Sequence, residues 1–191
     1  MKLETYASVR TGLVFSRKEA PPWKSKITYR ALSLKNVPED GKILLCDIED
    51  FFAGEVLKKE YFTCEGDVLL RLSAPYSAVL ITEREVDLLI PAHFAIIRTY
   101  DSLDPRYLCW WLTKNKKRFY QIASGGTMMG TISSGYIANM PFTPPPIEKQ
   151  RQVARLLELS NREQQLLSAL AKKKKLLVDA ILNKIPDMTE K

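Results

Sequence analysis

Apolar residues fall into short runs over the first 145 positions and into a long helical stripe after them. Four of the runs are rich in β-forming residues and are bounded by Gly, Pro or Asp, which predicts strands at 42–48, 67–73, 77–83 and 93–100. The second and third runs indicate a hairpin with Ala74, Pro75 and Tyr76 at its tip. Their alternation is incomplete, which is typical of strands partly buried on both faces.

A helix is predicted to begin after Asp104, an N-cap residue followed by Pro105 at the first helical position, and to run to about Ala123. Apolar residues at helical spacing are expected to face the core: Leu108, Trp111, Leu112, Phe119 and Ile122. Cations share another face: Lys114, Lys117 and Arg118. Such a stripe is either an ordinary solvated surface or a surface that contacts phosphates.

The last part of the chain predicts one long helix. Pro144 to Pro146 stiffen the entry, and neither Gly nor Pro occurs from Ile147 to about Asn183. Such a helix spans roughly 55 Å. A leucine-rich stripe follows it, interrupted by Glu163 and Lys173: Leu156, Leu159, Leu166, Leu170, Leu177 and Ile181. A domain of about 145 residues cannot cover this stripe, so we expect it to pair with another helix as a coiled coil.

Composition narrows the class of protein. The 191 residues suffice for one core domain with an appendage, and the net charge of +7 favours a polyanionic partner such as nucleic acid, although many proteins are mildly basic. Three scattered cysteines and one histidine, His93, fit neither a disulfide framework nor a zinc site. We expect buried or half-buried free thiols, a structural His93, no membrane segment and a cytoplasmic location.

No catalytic constellation is evident. Acidic residues cluster at Glu39, Asp40, Asp47, Glu49 and Asp50, but without the order of a nuclease metal site. Residues 139–142, Asn-Met-Pro-Phe, resemble the N-P-P-Y/F loop of DNA adenine methyltransferases, yet Met is at the second position and no glycine-rich cofactor loop precedes it. We therefore predict no enzyme, no cofactor and no metal.

Three segments are candidates for nucleic-acid contact in addition to the basic helix face. Residues 17–30 interleave cations with aromatic residues, as a DNA-facing loop or a basic loop pinned by a half-buried Trp would: Arg17, Lys18, Trp23, Lys24 and Lys26. The hairpin tip offers donors for base edges: Arg71, Ser73 and Tyr76. The glycine loop contributes Gly126 and Thr127.

These motifs, in this order, resemble one half of the DNA-specificity subunit of a type I restriction-modification system. Gly12 and the segment EGDVLLRLSAPYSAVLI are similar to that family's Gly-Asp-[Ile/Val]-Leu strand and hairpin. The segment DPRYLCWWLTKNKKRFYQIASGGTMMGTIS is similar to its helix and Gly-[Ser/Thr] loop, and MPFTPPPIEKQRQVARLLE to its entry into the spacer helix. The Ala74-Pro75 tip departs from the small Arg/Gly-rich turn that is common there.

The resemblance implies an α+β fold: a mixed α/β target recognition domain with a twisted sheet over 1–145, a spacer and dimerisation helix over 146–185, and a tail over 186–191. It implies double-stranded DNA as ligand and, as partners, methyltransferase subunits and through them a restriction/translocase subunit. Such subunits usually carry two domains and two helices, so we expect two copies to pair and read an inverted repeat. A coiled-coil adaptor without DNA binding and a metal-dependent nuclease remain alternatives.

Overall fold

The fold is built around a four-stranded antiparallel sheet. A computed structural model describes residues 1–39, 41–125 and 130–183. Within them it has six strands: β1 (Ala7–Thr11), β2 (Ile27–Ala31), β3 (Glu49–Ala53), β4 (Val68–Arg71), β5 (Ala78–Leu80) and β6 (Phe94–Thr99). The order in the large sheet is β1-β6-β4-β5, and β2 pairs with β3 in a second antiparallel ribbon. The predicted α+β class is confirmed.

The centre of the sheet is formed by β4 and β6, which carry the longest apolar runs. Leu69 of β4 lies opposite Ile96 of β6, and both side chains have no exposed surface. Every residue from Val68 to Leu70 and from Phe94 to Ile97 is buried, on whichever face it lies. Burial on both faces explains why these strands lack a clean alternation, as predicted.

One of the four strand predictions is wrong, and three strands were missed. The run at 42–48 forms no strand; its residues Leu45–Asp47 make a 3-10 turn, and Ile43, Leu45 and Ile48 pack against a core cluster that includes Leu32. The apolar side chains of this run cover the core, although its backbone pairs with no neighbouring strand. Conversely, β1, β2 and β3 were not predicted, because their polar residues obscure the pattern and their pairing with distant partners determines the conformation.

Four helices follow the sheet: α1 (Pro105–Lys114), α2 (Lys116–Gly125), α3 (Ser134–Asn139) and α4 (Ile147–Leu182). The single helix predicted to end near Ala123 is thus divided at Asn115. The Asn115 side chain donates to the carbonyl of Trp111 at 2.8 Å, a local bond that competes with the continuing helical ladder. The N-cap at Asp104 is confirmed, since its carboxylate accepts from Arg106 N at 2.9 Å.

The predicted core face of this helical region is correct for three residues: Leu108, Leu112 and Phe119 have no exposed surface. Trp111 is half-buried and its ring lies 4.8 Å from that of Phe142. Ile122 is 36% exposed, so its assignment to the core was wrong. Within α2, Phe119 faces the core and Ile122 lies toward the exposed side.

Two glycines of the quoted motifs have structural explanations. A Cβ on Gly12 would lie 2.3 Å from the carbonyl oxygen of Pro91, so no larger residue fits where β1 ends against that segment. Gly66 has a φ of +83°, a left-handed conformation that favours glycine. The adjacent Asp67 is 2% exposed, and its carboxylate pairs with Arg98 of β6 at 2.9 Å. The Gly-Asp pair therefore shapes and ties down the entry to β4.

The chain divides into two compact units, Met1–Arg151 and Gln152–Lys191, so the first turn of α4 belongs to the first unit. Gln150 holds this first turn within the first unit. Its side chain is 1% exposed, and its Oε1 accepts from Asp104 N at 2.9 Å. Its Nε2 donates to the carbonyls of Ser102 at 3.1 Å and Pro145 at 2.8 Å. One buried amide thus joins the start of α1, the proline run and the start of α4.

Candidate nucleic-acid interface

The basic aromatic segment at residues 17–26, named here the Trp23 segment, is held along strand β3 by backbone hydrogen bonds. Ala20 N donates to Phe52 O at 2.8 Å, Gly54 N to Lys18 O at 3.1 Å, and Lys26 N to Ala53 O at 2.9 Å. Pro22–Lys24 form a 3-10 turn between these attachments. The segment is therefore a fixed platform whose side chains are presented by an ordered backbone.

Trp23 is at the apex of this platform and is 81% exposed. A half-buried Trp that pins a basic loop, one of the two interpretations of the sequence, is therefore wrong. A large aromatic ring left in water on a hydrogen-bonded turn contributes nothing to the core. It does offer a flat surface on which a base or sugar can pack.

The cations of the Trp23 segment divide into two kinds. Lys18 pairs with Glu55, and the hydrogen bond and charge of Lys18 lower the pKa of that exposed carboxyl. Arg17, Lys24 and Lys26 are exposed, and no ion pair engages them within the part of the chain that the structure describes. These three are available for phosphate contacts, whereas Lys18 would first have to leave Glu55.

The hairpin tip has a different role from the one expected. The half-buried Arg71 uses its guanidinium within the fold: Nη1 donates to the carbonyls of Leu34 at 3.1 Å and Val37 at 3.0 Å, and Nη2 to that of Ala74 at 3.0 Å. Its Nε is buried with no partner among the described residues, and burial lowers the pKa of the group. Arg71 ties the tip to the 34–37 segment.

Tyr76 is also internal. Its side chain is 1% exposed, its hydroxyl donates to the carbonyl of Gly130 at 2.5 Å, and burial raises its pKa. Its ring meets that of Tyr120 edge-on at 4.9 Å. Ser73 is half-buried and forms a bridge with Thr131. Tyr76 is therefore buried instead of presented to solvent: it joins the hairpin tip to α2 and to Gly130.

The three cations assigned to one helix face, Lys114, Lys117 and Arg118, are all exposed at the α1–α2 junction, on two helices instead of one. The ammonium of Lys114 lies 5.0 Å from the centroid of the Trp110 ring. This junction lies beside the hairpin tip, because Tyr120 of α2 meets the ring of Tyr76. Lys116 also bonds to Glu39 at 2.7 Å, and Glu39 is close in sequence to Val37, which Arg71 contacts. Gly126 and Thr127 of the glycine loop lie outside the described residues.

A cavity of about 680 Å³ opens beside the β2–β3 ribbon and is lined by Phe15, Phe51, Glu19, Glu49, Asp50 and His93 among others. Its three carboxylates make it unfavourable for a phosphate. No group of three His, Cys, Asp or Glu placed to hold a metal occurs in the described residues, and Asp40 lies outside them.

His93, Cys46 and Cys64 differ from expectation, whereas Cys109 agrees with it. His93 is exposed in the turn before β6, not inside an apolar strand. Cys46 and Cys64 are exposed free thiols, while Cys109 is half-buried and burial raises its pKa to about 12. Among the residues that the structure describes, no helix is long and apolar enough to cross a bilayer.

The second candidate interface is the leucine-rich face of α4. The helix spans Ile147–Leu182, as predicted, and all six apolar residues of the predicted stripe are at least half exposed. Their exposed fractions are 68% for Leu156, 51% for Leu159, 56% for Leu166, 63% for Leu170, 61% for Leu177 and 54% for Ile181. Apolar side chains at this spacing and exposure are typical of a surface that binds another helix.

No family model matches this sequence. Among solved structures, the chain is similar over 100% of its length to a chain of a type I R-M system studied for complex assembly and conformational transition, with a TM-score of 0.64 and 17% identity. It is similar over 96% to the HsdS subunit from Thermoanaerobacter tengcongensis, with a TM-score of 0.60 and 21% identity. The S subunit of a type I restriction-modification system from M. genitalium matches over 99%, with a TM-score of 0.53 and 12% identity.

The chain spans only about half of each of these proteins, 50%, 43% and 46% respectively. The matches cover both compact units of the chain and establish that it has the fold of one half of such subunits. This agrees with the resemblance drawn from the sequence motifs.

Proposed function

We propose that this chain is a sequence-specific DNA-binding protein, the non-catalytic specificity component of a type I restriction-modification system. One observation carries the proposal: the likeness to specificity subunits runs along 96–100% of this chain, through the globular unit and the long helix together. The motif order in the sequence supports it independently. A common fold alone would leave the function open, because functions are located in sites.

The site supports DNA binding through the Trp23 segment. Its exposed ring and the cations Arg17, Lys24 and Lys26 supply stacking and phosphate contacts on an ordered backbone. Lys114, Lys117 and Arg118 supply a second set of cations. Arg71 and Tyr76 serve in this proposal as internal supports of the hairpin tip and not as base readers.

Pairing and partners complete the proposal. Two copies join through the exposed face of α4, and the resulting dimer reads an inverted bipartite site whose gap is set by the paired helices. Methyltransferase subunits, and through them a restriction/translocase subunit, bind this dimer and supply the catalysis. The exposed leucines of α4 support this arrangement.

Selection of bound duplexes from a random library tests the proposal. We expect a bipartite palindromic consensus and an affinity that falls steeply as salt rises. A chain that selects no sequence and shows no salt-dependent affinity would disprove DNA recognition. A consensus with a single half-site would disprove the pairing of two copies and leave DNA recognition intact.

Charge-matched variants locate the interface. Lys24→Ala with Lys26→Ala should weaken binding and reduce the salt slope by about one per lost phosphate contact. Lys58→Ala with Lys59→Ala removes the same charge from exposed positions outside the proposed interface and should have a smaller effect. Trp23→Ala should cost roughly 1–3 kcal/mol of binding free energy with little change in the salt slope. Equal losses from both lysine pairs would show that only net charge matters.

A further inference from the structure

The exposed face of α4 has an internal symmetry in its apolar and charged positions. With 3.6 residues per turn, Leu156, Glu163, Leu170 and Leu177 occupy one column of the face. A second column carries Leu159, Leu166, Lys173 and Ala180. Each residue of the two columns forms one layer of the face. From either end of the helix, two apolar layers are followed by one charged layer, and the two central layers, Leu166 and Leu170, are apolar. The charge is negative in the first half and positive in the second.

We propose that two copies of this chain pair through α4 in an antiparallel register centred on position 168, specified by reciprocal Glu163–Lys173 pairs. This deepens the dimer proposed above and rests on it. About that centre, Leu166 faces Leu170 of the second copy and Leu159 faces Leu177. Leu156 faces Ala180 with Ile181 beside it. Glu163 faces Lys173, and the two-fold axis repeats every layer.

Charge excludes the main alternatives. In a parallel in-register pair, Glu163 would face Glu163 of the second copy and Lys173 would face Lys173, placing like charges together. A slip by seven residues in one direction places Glu163 against Leu166. The opposite slip places Lys173 against Leu170. Each slip leaves a charged group desolvated against leucine, which is costly without a partner.

The second copy is the occupant that the face itself indicates. All apolar members of the two columns except Ala180 are at least half exposed large side chains, and Glu163 and Lys173 are exposed without an ion pair within the described helix. A partner must therefore present leucines in the same spacing and opposite charges at two fixed layers. The reversed face of this same helix meets both requirements.

Charge reversal tests the register in the full-length chain by sedimentation equilibrium. Glu163→Lys and Lys173→Glu each place like charges in two layers, so each should raise the dimer dissociation constant by about tenfold or more. The double swap Glu163→Lys with Lys173→Glu restores opposite charges and should return it to within about threefold of wild type. Lys175→Glu, on the far side of α4, is the matched control and should change little.

Disulfide trapping provides the second readout, in a background with Cys46→Ser, Cys64→Ser and Cys109→Ala. Protein with Glu163→Cys, mixed with protein carrying Lys173→Cys, should cross-link on oxidation, and neither should cross-link to itself. A wild-type chain that stays monomeric at high micromolar concentration would overturn the dimer and this register together. A wild-type dimer that self-links through position 163, or that ignores both single reversals, would overturn the register and leave the dimer of the proposed function intact.

Discussion

Leucines in the central sheet and leucines on α4 are in opposite environments. Leu69 and Leu70 of β4 have no exposed surface, whereas Leu170 of α4 is 63% exposed and Leu156 is 68% exposed. The first kind stabilises the chain that contains it, because neighbouring elements of the same chain cover it. In the proposed dimer the second kind is stabilised by the helix of the second copy. Identical side chains would then serve folding in one unit and association in the other.

Leu69→Ala and Leu170→Ala should separate these two uses with the largest effects. Leu69→Ala leaves a cavity in the buried cluster that contains Leu32, Val79 and Ile96 and should lower the free energy of unfolding by about 2–5 kcal/mol. Leu170→Ala should leave that free energy within about 0.5 kcal/mol of wild type and weaken dimerisation instead. Trp fluorescence in a denaturant titration reads the first unit alone, because all three Trp residues precede Arg151.

Sedimentation equilibrium measures how the same two substitutions affect dimerisation. Leu69→Ala should leave the dimer dissociation constant unchanged under conditions in which the unit is folded. If Leu170→Ala destabilised the first unit as strongly as Leu69→Ala does, the proposed division of roles between the two sets of leucines would be incorrect.

Gln150→Ala tests how the first turn of α4 is held within the first unit and should have an intermediate effect. The substitution leaves the buried Asp104 N and the part-buried carbonyls of Ser102 and Pro145 without their partner, which should cost about 1–3 kcal/mol of unfolding free energy. Gln152→Ala removes an exposed amide from the same helix and should change stability by less than about 0.5 kcal/mol. Equal effects of the two substitutions in denaturant titrations would argue against the role of Gln150.

Asp104→Asn should give the smallest effect, visible as a pH dependence. Burial disfavours the charged form of Asp104, but hydrogen bonds from the Arg106 side chain and backbone lower its pKa overall below 3.8. Stability linked to this shift is present above that value and is lost as pH falls through the folded pKa. Asn keeps the N-cap acceptor, so the loss near neutral pH should stay below about 1 kcal/mol.

Thermal unfolding of the wild type and of Asp104→Asn between pH 7 and pH 2.5 measures the stability that ionised Asp104 contributes. The difference in stability should narrow as the pH falls below about 4. A difference that stayed constant across this range would show that ionisation of Asp104 contributes no net stability.

Local sequence signals predicted the elements whose conformation depends mainly on neighbouring residues. The strands around β4, β5 and β6 and the whole of α4 were predicted, because long apolar runs and a Gly- and Pro-free helical segment leave few alternatives. The strand predicted at 42–48 was wrong because apolar residues can cover a core from a 3-10 turn as well as from a strand. The break at Asn115 was missed because a single side-chain bond to Trp111 produces it.

The candidate DNA interface could be predicted only in part. The interleaving of cations with Trp23 was visible in the sequence, but its 81% exposure depends on how β3 holds the segment. Conversely, Arg71 and Tyr76 have the chemistry of base readers, yet tertiary contacts with Val37 and Gly130 turn them inward. Gln150 was visible as part of a motif, but no local signal showed that it binds Asp104, Ser102 and Pro145.

The sequence by itself determined that this chain has a sheet-based unit followed by one long helix, and that the helix carries an apolar face broken by Glu163 and Lys173. Those features are encoded in residue periodicity, which acts over a few turns of backbone. Only the tertiary structure decided which polar side chains face solvent and which support the fold from inside. Burial depends on contacts between residues far apart in the chain, such as Arg71 with Leu34 and Tyr76 with Gly130.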